Sequence, residues 1–510
     1  MSQEEIFLYD THDRMIEELD IANRPLKDLI FEIQELYLSD SRPWIIGFSG
    51  GKDSTCVLSL VVSALKLLEK SALTKQVFVV SSDTLVETPV VIDAINQAIS
   101  SINDWGALND IPISAHAVHP VLDQSFWVNL IGRGYPAPSN KFRWCTERMK
   151  IDPVSEFIVS KVADYGEVIV LLGSRSQESS SRAQVIAKHK IDGSSLGRHS
   201  SLPNAFTYMP IVDWSADEVW EYLMSSPRPW SGTNRTLFDL YKGSNQGECP
   251  LVIDKSTPSC GNSRFGCWTC TVVTEDKAIH GLIESGAEWM TPLLEFRNKL
   301  YQSARPENAV EFRNSKRRTG RVNFDRKAIE PEERKHIRGP YWMSKRKGFL
   351  SELLQVEKKI REEQPNTVLI KREELQLIRQ HWLTDPNEPD WEDALPKIFA
   401  ETYPEEHVDW IESDAGSFSS VDGKLLDSIS AKLNTPSELT KKLLEVELNQ
   451  IGEIKRRGLL DKLEAILSND WEDFELAKKR ILDSASVSYD SKIAELSAEL
   501  EQNSSLLNDY

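Results

Sequence analysis

Between Pro43 and Trp220 the chain alternates short apolar runs with longer amphipathic stretches. Trp44–Phe48 (WIIGF), Val77–Val80 (VFVV), Ile113–Val118 (ISAHAV) and Val168–Leu172 (VIVLL) are short, mainly apolar runs of strand length separated by helix-length segments. After the first run, Val57, Leu58, Leu60, Val61, Leu65 and Leu68 recur at helical spacing. Alternating strands and helices predict a parallel sheet covered on both sides. Ligands of such sheets bind at the carboxyl ends of the strands, so the residues after each run are the candidates for chemistry. Ahead of this region, Ile16, Leu19, Ile21, Leu26, Leu29, Ile30, Ile33 and Leu36 predict a helical lead-in over 1–40.

The pattern then changes. Residues 41–235 form the α/β segment, and 236–300 are rich in Gly, Ser and Pro and hold a cysteine group. Residues 301–348 are a basic segment, and 349–510 read as helical. In the last part, Thr435-Pro436-Ser437-Glu438 predicts a capping box, followed by an apolar stripe of Leu439, Leu443, Val446 and Ile454. That stripe is core or partner packing rather than chemistry.

Charge refines the picture. Lys plus Arg number 60 and Asp plus Glu 79, a formal charge of −19, which excludes a uniformly basic nucleic-acid coat protein. The basic segment departs from this. Over 305–348 there are 14 Lys/Arg and 6 Asp/Glu, a local excess of 8 positive charges, with Phe312, Phe324, Tyr341 and Trp342 interleaved. Such a segment grips phosphates or is merely a solvated face. No run approaches the ~18 apolar residues of a membrane span, and Met1–Asp13 has no secretory pattern. A cytoplasmic location, with no membrane partner, is expected.

Ser49-Gly50-Gly51-Lys52-Asp53-Ser54-Thr55 follows the first predicted strand and opens a helix. Glycines let the main chain approach a phosphate, free amides and the helix dipole bind its oxygens, and Lys52 adds charge. Gly47 and Gly51 are one residue too close for the G-x-x-x-x-G-K-S/T loop of kinases and GTPases, and Asp53 follows the lysine. The plain alternative is a glycine turn before a helix. The six residues SGGKDS resemble the loop of the PP-loop ATP pyrophosphatases, of adenine nucleotide alpha hydrolase-like fold. In that family the loop holds the β,γ-diphosphate, so that the α-phosphorus is attacked and pyrophosphate leaves. The resemblance implies ATP, with Mg²⁺ near Asp53, and catalytic roles for Lys52 and Asp53.

Other strand ends extend the likeness. They are Ser81-Ser82-Asp83-Thr84 with Glu87-Thr88-Pro89, Arg143-Trp144-Cys145-Thr146-Glu147-Arg148-Met149-Lys150, and Gly173-Ser174-Arg175-Ser176-Gln177-Glu178-Ser179 with Arg182. Over about residues 40–225 these resemble the phosphoadenosine-phosphosulfate reductase branch. The resemblance implies a nucleotide site of Ser49–Thr55, Ser81, Asp83, Thr84, Gly173, Arg175, Glu178 and Arg182, with Cys145 and Arg175 catalytic. Arg143, Arg148, Lys150, Arg175 and Arg182 suit phosphate oxygens; singly, each would read as a surface ion pair. The reductases' C-terminal E-C-G-L/I-H segment is missing, since no cysteine follows Cys270.

Six cysteines are too few for a disulfide framework. Cys249, Cys260, Cys267 and Cys270 are spaced C-x10-C-x6-C-x2-C, which suits four thiolates on an iron–sulfur cluster or on zinc. Beside a pyrophosphatase loop, 4Fe–4S is favoured over zinc. Cys145 could replace Cys249 or carry a persulfide, and Cys56 reads as core. Together with Gly132-Arg133-Gly134-Tyr135-Pro136-Ala137-Pro138 and Gly261–Cys270, these features resemble the sulfurtransferases of bacterial DNA phosphorothioation. That likeness implies DNA as sulfur acceptor, a cysteine desulfurase as donor, and other proteins of a phosphorothioation complex as partners. A tRNA thiolation enzyme and a non-catalytic ATP-bound scaffold are the alternatives.

Overall fold

The protein is described by a computed structural model covering residues 16–230, 232–243, 266–325, 327–328, 330–385, 387–411, 420–448 and 458–508. Two compact units emerge. The first is Met1–Phe126, Pro138–Tyr301 and Lys359–Leu369, and the second is Trp127–Ala137, Gln302–Lys358 and Ile370–Tyr510.

The first unit is built on a six-stranded sheet. Its strands are β1 (Trp44–Gly47), β2 (Val77–Ser82), β3 (Ile113–Val118), β4 (Val168–Leu171), β5 (Leu196–Arg198) and β6 (Ala205–Tyr208). Their order is β3-β2-β1-β4-β6-β5, parallel except for β5 against β6. The chain moves outward from β1 through β2 to β3 and then returns to β4 on the other side of β1. That reversal places the crevice for a ligand at the carboxyl ends of β1 and β4.

Both faces are buried, as the unbroken apolar runs require. Trp44, Ile46, Val77, Val79, Ile169 and Leu171 point into one core, shared with helices α1 (Leu26–Leu38) and α2 (Lys52–Lys66). The alternate residues Ile45, Phe78, Val80, Val168 and Val170 point into the other. That second core includes Val154 and Ile158 of a helix at Asp152–Tyr165. Helix α2 is buried from Lys52 to Leu65, around its whole circumference, and Cys56 lies in this core as expected.

Two expectations need correction. In the described part of the lead-in, residues 16–18 and α1 are helical, and between them Asp20–Ile21 and Arg24–Pro25 pair as an antiparallel hairpin. Its turn holds Ala22 and Asn23 at φ of 55° and 59°, so the spacing of Leu19 and Ile21 reflects a hairpin tucked under the core rather than a helix. The C-terminal capping box is displaced as well. That helix begins at Ser437, and the Thr435 hydroxyl turns back to donate to the Leu433 carbonyl.

The second unit is helical. Phe349, Leu350, Leu353, Leu354, Leu375, Ile378, Trp382, Leu395 and Phe399 are among its buried apolar residues. Arg346 and Asp385 are paired at 2.8 Å and fully buried, and Arg346 also donates to the Gly132 carbonyl at 3.0 Å. Leu439, Leu443 and Val446 are half-buried where helix Ser437–Leu448 meets Ser420–Lys432 and Leu459–Leu467; Ile454 falls outside the described residues. No described helix is long and apolar enough to cross a membrane.

Candidate functional site

Among the described residues no side chain caps α2, which leaves the Asp53 and Ser54 amides of its first turn without a partner, while the Gly51 amide donates to the Ser49 hydroxyl at 3.4 Å. Gly51 is its N-cap in extended geometry with no side-chain cap bond, and Gly50 takes φ +71°. Ser54 turns inward instead. Its hydroxyl donates to the Gly51 carbonyl at 3.0 Å and lies 3.1 Å from the Ser49 hydroxyl. The first-turn N–H groups of such a helix carry the positive end of its dipole. One of them, on Lys52, is met by the Tyr241 hydroxyl at 3.3 Å, and Lys52 Nζ lies 5.5 Å from the centre of that ring.

Behind the amides runs a buried chain of charges. Lys52 Nζ donates to Asp53 Oδ2 at 3.0 Å, and Arg175 Nε to Asp53 Oδ1 at 2.7 Å. Arg175 lies 3.8 Å from Glu178, and Glu178 pairs with Arg182. Three cations and two carboxylates leave one net positive charge, apart from the dipole, at the mouth of β1 and β4. Both Asp53 oxygens are engaged, so Asp53 aims Lys52 and Arg175. The loops meet backbone to backbone: a Cβ on Gly173 would lie 2.8 Å from the Asp53 carbonyl carbon. Only glycine permits that approach.

At the end of β2, the Ser81 hydroxyl is buried without a hydrogen-bond partner among the described residues. Asp83 accepts from the Leu85 amide at 2.8 Å and lies 3.3 Å from His119. Thr84 donates to Glu87 Oε1 at 2.8 Å. Free helix-start amides, an unpartnered buried hydroxyl and a net positive floor fit the phosphates of a nucleotide.

The same loop receives the cysteine segment. Glu87 and Cys267 face each other across an antiparallel bridge. It is held by Trp268 N to Val86 O at 3.0 Å and Thr88 N to Gly266 O at 3.2 Å. Cys267 Sγ lies 3.5 Å from Glu87 Oε1 and 3.4 Å from Thr84 Oγ1, and Lys150 Nζ is 3.9 Å from the same Glu87 oxygen. Burial, and then the charge of Glu87, push the Cys267 thiol well up from its ordinary value. Cys270 closes the C-x-x-C turn, its amide donating to the Cys267 carbonyl at 3.2 Å. Arg297, fully buried, fastens the turn by donating to the carbonyls of Cys270 at 2.9 Å, Thr274 at 2.8 Å, and Val273.

Of the proposed metal ligands, Cys267 and Cys270 are thus juxtaposed, a donor pair suited to a thiophilic centre. Cys249 and Cys260 fall outside the described residues. Among the described residues, no three His, Cys, Asp or Glu side chains are placed to hold a metal ion. Cys145 is half-buried in the single turn Trp144–Thr146. Its neighbourhood is tied to the cysteine segment by the Thr271 hydroxyl, which donates to the Pro138 carbonyl at 2.6 Å. Of the five predicted cations, Lys150 lies beside Glu87, Arg175 and Arg182 join the Asp53–Glu178 chain, and Arg143 and Arg148 donate to Asn140 at 2.9 Å and to Gln124. Sequence reasoning missed Tyr241, Arg297 and the Glu87–Cys267 contact.

Fold and site together define an α/β domain of the PP-loop type. Residues 43–273 match the phosphoadenosine phosphosulfate reductase domain family, just under half of the chain. Over 207 residues the chain is 28% identical to an uncharacterized protein of Methanocaldococcus jannaschii, covering 41% of this chain and only 36% of that protein's length. Among solved structures it is similar to the phosphoadenylyl-sulfate reductase of Candida auris (14% identity, TM-score 0.25, 44% of this chain and 86% of that one). It is similar also to the U34-tRNA thiolase of Methanococcus maripaludis, described with its 4Fe–4S cluster (15% identity, TM-score 0.26, 43% and 74%). A third is the FMN adenylyltransferase of Candida glabrata (12% identity, TM-score 0.27, 43% and 65%).

Proposed function

We propose that this protein is an ATP-dependent sulfurtransferase of the DndC type, replacing one non-bridging oxygen of a DNA backbone phosphate with sulfur. The observation that carries the reading is the docking of Cys267 on the Glu87 loop. It sets a thiol-bearing segment at the end of β2, next to the strand that ends in SGGKDS. Cysteine chemistry and nucleotide chemistry in one domain suit a reaction in which ATP prepares an oxygen for replacement by sulfur.

A phosphodiester oxygen is a poor leaving group, and adenylation makes it leavable. The DNA phosphate oxygen attacks the α-phosphorus of ATP, the bond to pyrophosphate breaks, and an adenylated phosphate forms. Sulfide then forms the P–S bond and AMP departs with the original oxygen. A persulfide delivered by a cysteine desulfurase serves the same step: its terminal sulfur forms the P–S bond as AMP leaves, and a second thiol then attacks the carrier sulfur, releasing the phosphorothioate and forming a disulfide that supplies the two electrons. The amides at the start of α2, with Lys52 and Arg175, neutralise charge on the leaving pyrophosphate; Mg²⁺ accompanies the nucleotide. Cys267 and Cys270, with Cys249 and Cys260, would hold a 4Fe–4S cluster, which supplies a site for binding sulfur. Other phosphorothioation proteins would choose the DNA sequence.

Mass spectrometry of DNA and tRNA from cells with and without the gene tests the acceptor. Gene-dependent phosphorothioate in DNA is expected. Gene-dependent thionucleosides in tRNA with unmodified DNA would replace DNA by tRNA as the acceptor. If the pure protein with DNA and sulfide releases no pyrophosphate from ATP, the scaffold role takes over.

A further inference from the structure

The basic segment lies in the second unit, and its arginines are organised in an unusual way. Arg313 Nε donates to the Gly339 carbonyl at 2.8 Å and Arg313 Nη2 to the Arg338 carbonyl at 2.5 Å. Arg317 donates to the same Arg338 carbonyl at 3.2 Å, Arg338 to the Arg313 carbonyl at 3.2 Å, and Arg318 to the Arg133 carbonyl at 2.6 Å. These partners are main-chain oxygens, which hold a guanidinium in place but do not neutralise it. Among the described residues no carboxylate is paired with Arg313, Arg317, Arg321 or Arg338; Asp470, the acid that accepts from the Val322 amide next to Arg321, is paired with Arg480 at 2.5 Å. Burial holds the Arg313 guanidinium below its ordinary value, and the charges of Arg317 and Arg338 add to the effect. An anion laid across the group would relieve that repulsion.

The group is rigidly mounted. A Cβ on Gly339 would collide with the Lys316 carbonyl oxygen, so the two chain segments pass at a distance only glycine allows. Arg317–Arg321 forms a tight turn, with Gly320 N donating to Arg317 O and Arg317 N to Arg321 O, both at 2.8 Å. The C-terminal region braces it. Asp470 accepts from the Val322 amide at 2.7 Å, Ser468 from Arg321 at 3.2 Å, and Lys316 Nζ sits 5.5 Å from the centre of a Trp471 ring. Phe474 lies 4.6 Å, ring to ring, from His336, which pairs with Phe324 across a two-residue hairpin. Arg317 and Arg321 are exposed at the tip.

We propose that Arg313, Arg317, Arg321 and Arg338 form a grip for the phosphodiester backbone of duplex DNA. The residues 468–474 brace the turn that carries Arg317 and Arg321. The choice of DNA rests on the function proposed above; the anionic class of ligand rests on the uncompensated guanidinium groups alone. Preorganised forks of this kind contact phosphates without reading bases.

The test is binding of a fluorescein-labelled random-sequence DNA duplex to the full chain across a salt series, with a tRNA transcript in parallel. The double variant R317A/R321A removes two exposed side chains, and its circular dichroism melt is compared with wild type. If each arginine covers one phosphate, the magnitude of the slope of log K against log salt falls by about two, so between about 50 and 200 mM salt the variant loses roughly tenfold less affinity than wild type. R317K/R321K should retain most of the slope. An unchanged slope in a folded R317A/R321A protein overturns the grip. A loss of binding confined to tRNA overturns DNA as its occupant. Loss of duplex binding with normal pyrophosphate release would confirm the grip whatever acceptor receives sulfur.

Discussion

Asp53 shows what one side chain does at this site. It lies 5% exposed between Lys52 and Arg175, with one oxygen given to each. Replacing it with alanine leaves two buried cations facing each other, which destabilises by about 3–5 kcal/mol if the loop stays closed. D53A is expected to lower the melting temperature and to abolish ATP-dependent pyrophosphate release, both measurable on the pure protein. Full retention of release would remove the nucleotide assignment. Tyr241 makes the opposite case, since its hydroxyl takes the Lys52 amide of the proposed phosphate cradle. A phosphate must displace it. Y241F frees that N–H, worth about 0.5–1.5 kcal/mol, so pyrophosphate should bind up to about tenfold more tightly by calorimetry.

At the scale of elements, legibility followed sequence distance. Of the four strands after Pro43, three were readable as continuous apolar runs between turn residues, and Ile113–Val118 as an alternation broken by Ser114 and His116. Their ends shifted by a residue or two, with β2 running on through Ser81 and Ser82 as polar strand positions. β5 and β6 went unread, being only three and four residues long, with Gly197 and Thr207 interrupting any apolar run. The SGGKDS turn was legible because all its parts are adjacent. The Cys267–Glu87 contact spans 180 residues and Tyr241–Lys52 spans 189, and no local pattern encodes either.

The β5–β6 connection carries a prediction of its own. The Nδ1 atom of His199 accepts from the amides of Ser201 at 3.4 Å and Leu202 at 3.2 Å, so the fold needs its neutral form. Burial, assisted by His189, lowers its pKa from 6.5 to about 4. The unfolded chain therefore takes up this proton first. The contribution is full above pH 6.5 and is lost as pH falls toward 4, amounting to roughly 3 kcal/mol at most. Melting temperature should drop across that window, and H199N, whose amide oxygen can accept the same bonds, should flatten the drop.

Over the whole molecule, charge and cysteine are both unevenly distributed. A net −19 coexists with a segment carrying 8 excess positive charges, and four of six cysteines fall between 249 and 270. Spacing alone identified the cysteine group and the basic segment. It could not show that several arginines of that segment are tied to carbonyls, because main-chain acceptors leave no trace in composition. Serine at both Cys267 and Cys270 is expected to remove bound iron, read by metal analysis and by the anaerobic absorbance spectrum. Unchanged iron content would mean these thiols are not ligands.

The ladder between residues 86–88 and 266–268 has a thermodynamic corollary. If the loop serves both nucleotide and sulfur, as proposed, it cannot be reshaped by one occupant in secret from the other. If ATP analogue shifts sulfide affinity by some factor, sulfide must shift analogue affinity by that same factor, and titrating either ligand in the presence of the other would measure one number twice.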